Sequence, residues 1–230
     1  MSKKRRTDTV AEINNTIQFE RQSRKSNQII VPRNAVQEDY LALLNDYQKY
    51  VVFAVGPAGT GKTLLAMMAG IQALRESQVK RLILTRPAVG VEGENHGFLP
   101  GDLTSKMMPW TQPLIDILRE CYDNTQIEQM IENQVVELAP LAYMRGRTFK
   151  NCWIILDEAQ NTSINQMKRI LTRLGEGSKL IITGDLDQMD RPFVKDNGLR
   201  DFINRLPDDE KMMGKVEFKK QHIERHPLVT

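Results

Sequence analysis

The chain has 230 residues, 40% of them hydrophobic and 6% aromatic, with a formal net charge of +3. That is enough for one well-filled core and too few aromatics for a surface built mainly on base stacking. Residues 1–33 carry eight basic against three acidic side chains, whereas the other 197 carry 24 basic against 26 acidic. The body is therefore not a basic protein, and any electrostatic hold on nucleic acid must come from the N-terminal arm or from local patches.

Cys121 and Cys152 have no metal-ligand spacing around them and read as free thiols of a reducing, cytoplasmic compartment. The three histidines, His96, His222 and His226, are scattered and predict no zinc site. No apolar run approaches the roughly 18 residues of a membrane span, so no membrane partner is expected.

Residues 1–30 are polar and charged and read as a basic flexible arm; residues 31–230 read as one domain. Asn34 is a candidate cap for a helix through Tyr40, Leu44 and Tyr47. "YVVFAV", 50–55, is a short buried strand, followed by "GPAGTGKT" and the helix former "LLAMMAGIQALRE". "RLILT", 81–85, "VVEL", 135–138, "CWIIL", 152–156, and "KLIIT", 179–183, repeat the strand pattern. "SINQMKRILTRL", 163–174, reads as helix, and "KVEFK", 215–219, as one more strand. Residues 88–134 hold an inserted loop and at least one helix, over about 111–133. Apolar, β-branched strands alternating with helices predict an α/β fold with a parallel sheet covered on both faces.

Gly56, Pro57, Ala58, Gly59, Thr60, Gly61, Lys62 and Thr63 fit G-x-x-x-x-G-K-[ST], with Leu64 next on the helix. The glycines let backbone N–H groups turn towards phosphate oxygens, and the helix adds its positive end. Lys62 is expected at the β- and γ-phosphates and the Thr63 hydroxyl at Mg²⁺. The strand "WIIL" then delivers Asp157 to the metal shell and Glu158 to a water positioned for in-line attack. A water-activating carboxylate argues for hydrolysis and against a small-molecule kinase. In "IITGDLDQ" the turn after the next strand brings Gln188 to the γ-phosphate, with Asp185 in the same network. No guanine-reading N-K-x-D or T-K-x-D is present, so ATP is the expected nucleotide, and Gln37 is placed to read adenine.

These segments, with "TRPAV", "GFLPGDL", "PLAYMRGRTF", "QMKRILTRLGEGSK" and "RHPLV", resemble the PhoH family of phosphate-starvation-inducible P-loop ATPases over about residues 30–230, and look most like its short, phage-borne members. The resemblance implies a RecA-like P-loop NTPase core close to the first motor domain of superfamily 1 helicases. It also implies ATP hydrolysis, a homo-oligomeric and often hexameric ring, and a link to RNA. On the same ground Arg86, leaving the second strand, is expected to be exposed and to contact RNA or single-stranded DNA. Phe98, in the loop "GFLPGDL", either stacks on bases in a pore or packs on a neighbour.

The sequence runs about 40 residues past the "GDLDQ" turn, which predicts no second motor domain to supply an arginine to the transferring phosphate. A head-to-tail neighbour would then supply it. Arg145 and Arg147, flanking Gly146, are the favoured pair, with Arg173 and Arg225 behind them. The alternatives are a grip on single-stranded nucleic acid by that pair, or structural ion pairing. An ATP-dependent switch or scaffold without unwinding activity is the rival to a nucleic-acid motor.

Overall fold

The computed structural model describes residues 30–87, 103–188, 196–207 and 210–224, with side chains from residue 112 onward in the second of these stretches. The six strands are β1 (Val51–Val55), β2 (Arg81–Thr85), β3 (Val136–Leu138), β4 (Cys152–Leu156), β5 (Lys179–Gly184) and β6 (Met213–Glu217). All pair in parallel, in the order β3-β2-β4-β5-β1-β6. The central strands β1 and β4 are buried at every position, as two-sided cover demands.

The helices are α1 (Ala35–Asn45), α2 (Lys62–Arg75), α3 (Leu103–Cys121), α4 (Asn124–Glu132), α5 (Ile164–Leu171) and α6 (Gly198–Arg205). One core cluster joins α1 to α4 to one face of the sheet through Leu44, Met67, Leu118, Met130 and Trp153. The other joins α5 and α6 to the opposite face through Phe53, Ile154, Met167, Ile170 and Leu199. Layers of helix, sheet and helix result. The Trp153 indole fixes α2 to the sheet, donating from Nε1 to the Ala66 carbonyl at 3.1 Å.

Most strands and the first two helices fall where the pattern puts them, and Asn34 caps α1 by accepting from the Gln37 N–H. Three differences stand out. The stretch 111–133, expected to hold at least one helix, is divided between α3, which begins earlier at Leu103, and α4, because Asp123 forms a reciprocal capping box with Gln126 and starts α4 afresh. The helix expected over 163–174 ends at Leu171. A further helix, α6, covers β5 and β1 where no element was anticipated.

Strand order places the site. β5 lies between β1, which feeds the phosphate loop, and β4, which ends at Asp157. The carboxyl ends of all three open onto one crevice.

Candidate active site

The phosphate loop is held from three sides. Gly56 takes φ +135°, and a Cβ there would lie 2.2 Å from the Phe218 carbonyl oxygen, so only glycine lets the chain pass between β6 and β5. Its N–H donates to the Gly184 carbonyl at 3.1 Å. Gln37, 4% exposed, supports the loop from beneath, donating from Nε2 to the Thr60 carbonyl at 3.1 Å and accepting the Arg33 N–H at 2.8 Å. From the far end of the chain, the Glu224 N–H donates to the Gly59 carbonyl at 2.9 Å.

Gly61, in the left-handed region, starts α2 without a side-chain cap, leaving the helix's first N–H groups to the loop cavity. Lys62 folds back onto the loop, its ammonium donating to the Gly56 and Pro57 carbonyls at 2.7 Å each.

Asp157 is the hub of the site. Its carboxylate, 5% exposed, accepts on Oδ1 from the Thr63 hydroxyl at 2.8 Å and the Thr183 hydroxyl at 2.6 Å. On Oδ2 it carries the Arg86 guanidinium, with Nε at 2.9 Å. A buried carboxylate in contact with a hydroxyl from the phosphate loop is a hard-oxygen donor pair that fits Mg²⁺, an ion that takes one or two carboxylates and leaves its other positions to phosphate and water. Among the described residues no cluster of three or more histidine, cysteine or acidic side chains could enclose a metal by itself.

Glu158 adopts a left-handed backbone, φ 56°, which turns its side chain out of the strand to an exposed position. Gln160 restrains it, donating from Nε2 to Glu158 Oε2 at 2.6 Å. The same buried amide accepts the Asp185 N–H at 3.1 Å, and its backbone carbonyl accepts from Asn197 Nδ2 at 2.6 Å. Gln160 thus ties the acidic turn after β4 to the turn after β5 and to the cap of α6. Lys62, Thr63, Arg86, Asp157, Glu158, Asp185 and Gln188 line one crevice of about 280 Å³. Leu64, Pro113 and Ile117 form its apolar side.

Several expectations change. Arg86 does not project from the end of β2 into solvent: it is 22% exposed and bonded to Asp157, because β2 and β4 are neighbours and Thr85 pairs with Leu156. Gln37 does line the foot of the loop, but its amide is engaged with the chain itself.

Arg147 is paired within its own chain. Both guanidinium nitrogens meet Glu137 on β3, Nη2 at 2.7 Å from Oε2, and the guanidinium stacks 4.7 Å over Phe149. Arg173 lies near the amino end of the sheet, away from the crevice, its carbonyl accepting the Phe149 N–H and its Nε buried without a hydrogen bond among the described residues. Arg145 is exposed and makes no ion pair or hydrogen bond among the described residues. Phe98 and Arg225 lie outside the described residues.

Gln160 was missed by the sequence reading although it stands in "DEAQ". The signal was a polar side chain two residues past the carboxylate pair, in an otherwise buried turn. Glu137 was missed too; an acidic side chain within the apolar run "VVEL" asks for a partner.

Comparisons with known proteins agree with this picture. The T4 bacteriophage UvsW helicase structure superposes with a TM-score of 0.51 at 13% identity, covering 87% of this chain and 66% of that one, which is a likeness of fold. Together with the strand order, it shows an α/β, RecA-like fold with a parallel sheet. A PhoH-like protein of Bacillus subtilis is 46% identical over 194 residues, or 84% of this chain and 60% of its own length. Protein PhoH of Escherichia coli is 41% identical over 201 residues, or 86% and 56%. The chain thus spans a little over half the length of these curated relatives. The sequence model of PhoH-like proteins matches residues 29–230, and the chain belongs to that family.

Proposed function

We propose that this chain is a Mg²⁺-dependent ATPase that works in the cytoplasm as a homo-oligomeric ring, hexameric by preference, and couples turnover to RNA or single-stranded DNA. The observation that carries the ATPase reading is the 2.8 Å contact between Thr63 and Asp157. It brings the phosphate-loop hydroxyl and the strand-end carboxylate to one point, with Glu158 in the same crevice.

The chain's own groups divide the work. Lys62 exchanges the loop carbonyls for phosphate oxygens, which offer a charged and stronger acceptor. Thr63 and Asp157 would hold Mg²⁺, which neutralises phosphate charge when bound. Glu158 orients and polarises the attacking water, with Gln160 fixing the direction of its carboxylate. Gln188, exposed at the mouth, is positioned to sense the terminal phosphate. Arg145 is the surface arginine free to reach a neighbouring subunit, and Arg147 is withdrawn from that role by Glu137.

Glu158→Gln tests the reading. It should bind ATP with nearly unchanged affinity and turn it over at least about 100-fold more slowly, the scale of a lost general base. Unchanged turnover would remove Glu158 from the chemistry. Turnover of the wild type across protein concentration, with and without single-stranded RNA, tests the ring and the nucleic-acid link. Activity per subunit that is flat in concentration and indifferent to RNA refutes both.

A further inference from the structure

Asp157 already carries a cation. The Arg86 guanidinium lies on Oδ2, while both threonine hydroxyls occupy Oδ1. A metal that takes Asp157 beside Thr63, on Oδ1, competes with this arginine for the charge of one buried carboxylate. Arg86 extends from the end of β2 into the crevice that holds Lys62 and Glu158. Its backbone is fixed by a hydrogen bond from the Leu141 N–H to the Arg86 carbonyl, at 3.2 Å.

We propose that Arg86 is an arginine supplied in cis to the terminal phosphate, exchanging the Asp157 carboxylate for phosphate oxygen when metal and ATP bind. The proposal rests on the ATPase reading above and not on the ring. A guanidinium freed from Asp157, where Nε and Nη2 share the single oxygen Oδ2, leaves one oxyanion for another within the same crevice, and the oxygens of a γ-phosphate are its chemically matched successor. ADP has no γ-phosphate, so the exchange is complete only with the triphosphate. Arg86 thereby serves twice: as the counter-ion that makes a buried Asp157 tolerable, and as a reporter of the third phosphate. The family resemblance points Arg86 to nucleic acid; the ion pair with Asp157 points it into the crevice.

The experiment titrates fluorescent ADP and a non-hydrolysable ATP analogue against Mg²⁺ with wild type, Arg86→Ala and Arg86→Lys. In Arg86→Ala the Mg²⁺ concentration that half-saturates ADP binding should fall about tenfold or more, because one charge-assisted pair no longer has to be displaced. Its preference for the triphosphate analogue over ADP should shrink by a similar factor. Arg86→Lys should lie between, since an ammonium meets Asp157 or phosphate at one point only. If the alanine variant does not fold, the lysine variant carries the test, with both shifts expected in the same directions. A Mg²⁺ midpoint that stays or rises, or an intact triphosphate preference, overturns the proposal and leaves Arg86 a structural ion pair. Wild type that binds neither nucleotide defeats the ATPase reading itself, which separates the two failures.

Discussion

Replacing Arg147 by alanine separates an arginine that holds its own chain together from one that serves a neighbour. In the fold, Arg147 grips Glu137 with both nitrogens, and the nearest remaining cation is Arg81, 3.9 Å from Glu137. A charge-assisted pair is worth about 1.5–3 kcal/mol when well buried. Here the arginine side chain is 37% exposed and the glutamate 18%, and screening by solvent lowers the figure to about 1–2 kcal/mol. Loss of the stacking on Phe149 adds about 0.5–1 kcal/mol. A cost near 2 kcal/mol corresponds to a fall in Tm of roughly 4–8 °C for a domain of this size. The assay is a thermal melt together with ATP turnover, measured well below the transition and scaled to folded protein. Lower Tm with intact turnover is the expected result. A variant that melts with the wild type, loses turnover, and regains it when mixed with Lys62→Ala subunits refutes the structural assignment.

Further outcomes follow from other contacts. Gly56→Ala drives a Cβ to 2.2 Å from the Phe218 carbonyl oxygen at a positive φ. The Cβ has no rotamer to turn aside and the oxygen it meets is backbone, so the variant should lose about 2–4 kcal/mol and bind no fluorescent ATP; a normal melt and titration would disprove the account of the loop's tight passage. Gln160→Ala frees Glu158 and the Asp185 turn together, and should slow turnover roughly tenfold to 100-fold with little change in nucleotide affinity. A weakened affinity at full turnover would place Gln160 elsewhere in the cycle. Burial pushes the Lys179 ammonium down to about 8, although it donates to the carbonyls of Leu43, Leu44 and Asp46. A lowered lysine makes the unfolded chain the stronger proton binder above that pH. Stability should therefore rise from about pH 8 towards the ordinary lysine value near 10.4. Lys179→Met should abolish that rise and, by uncapping α1, lower the melting temperature; equal pH profiles for the two proteins would contradict the assignment.

How far the sequence disclosed the fold depended on the range of each signal. Lys62, Thr63, Asp157 and Glu158 were legible because their chemistry is written in contiguous motifs at the ends of apolar strands. β4 was read to the residue, Cys152–Leu156, because an uninterrupted buried run leaves no choice of register. α6 escaped notice because "GLRDFINR" is short and half polar, and its apolar residues acquire a partner only when α5 and β5 stand beside them. The break before α4 was available locally, in the Asp123 and Gln126 capping box, and was overlooked within a longer helical pattern. The partners of the arginines were not legible for a different reason. Arg147 finds Glu137 and Arg86 finds Asp157 across sheet neighbours, and pairing of that kind follows from strand order, which spacing along the chain does not encode.

Strand order also sets a sequence of events in time. β1, at residues 51–55, has two neighbours, β5 at 179–184 and β6 at 213–217, and no partner nearer in the chain. During synthesis the strand that feeds the phosphate loop must therefore wait unpaired while residues 56–178 are made. Over the same interval β2, β3 and β4 can assemble among themselves. Closure over so long a stretch of chain is entropically slow. The Gly56 N–H finds the Gly184 carbonyl, and Gly59 finds the Glu224 N–H, only at the end. The proposed nucleotide site is consequently incomplete until β5, β6 and Glu224 have been made, and a chain that stops short of them leaves β1 an apolar strand without a partner.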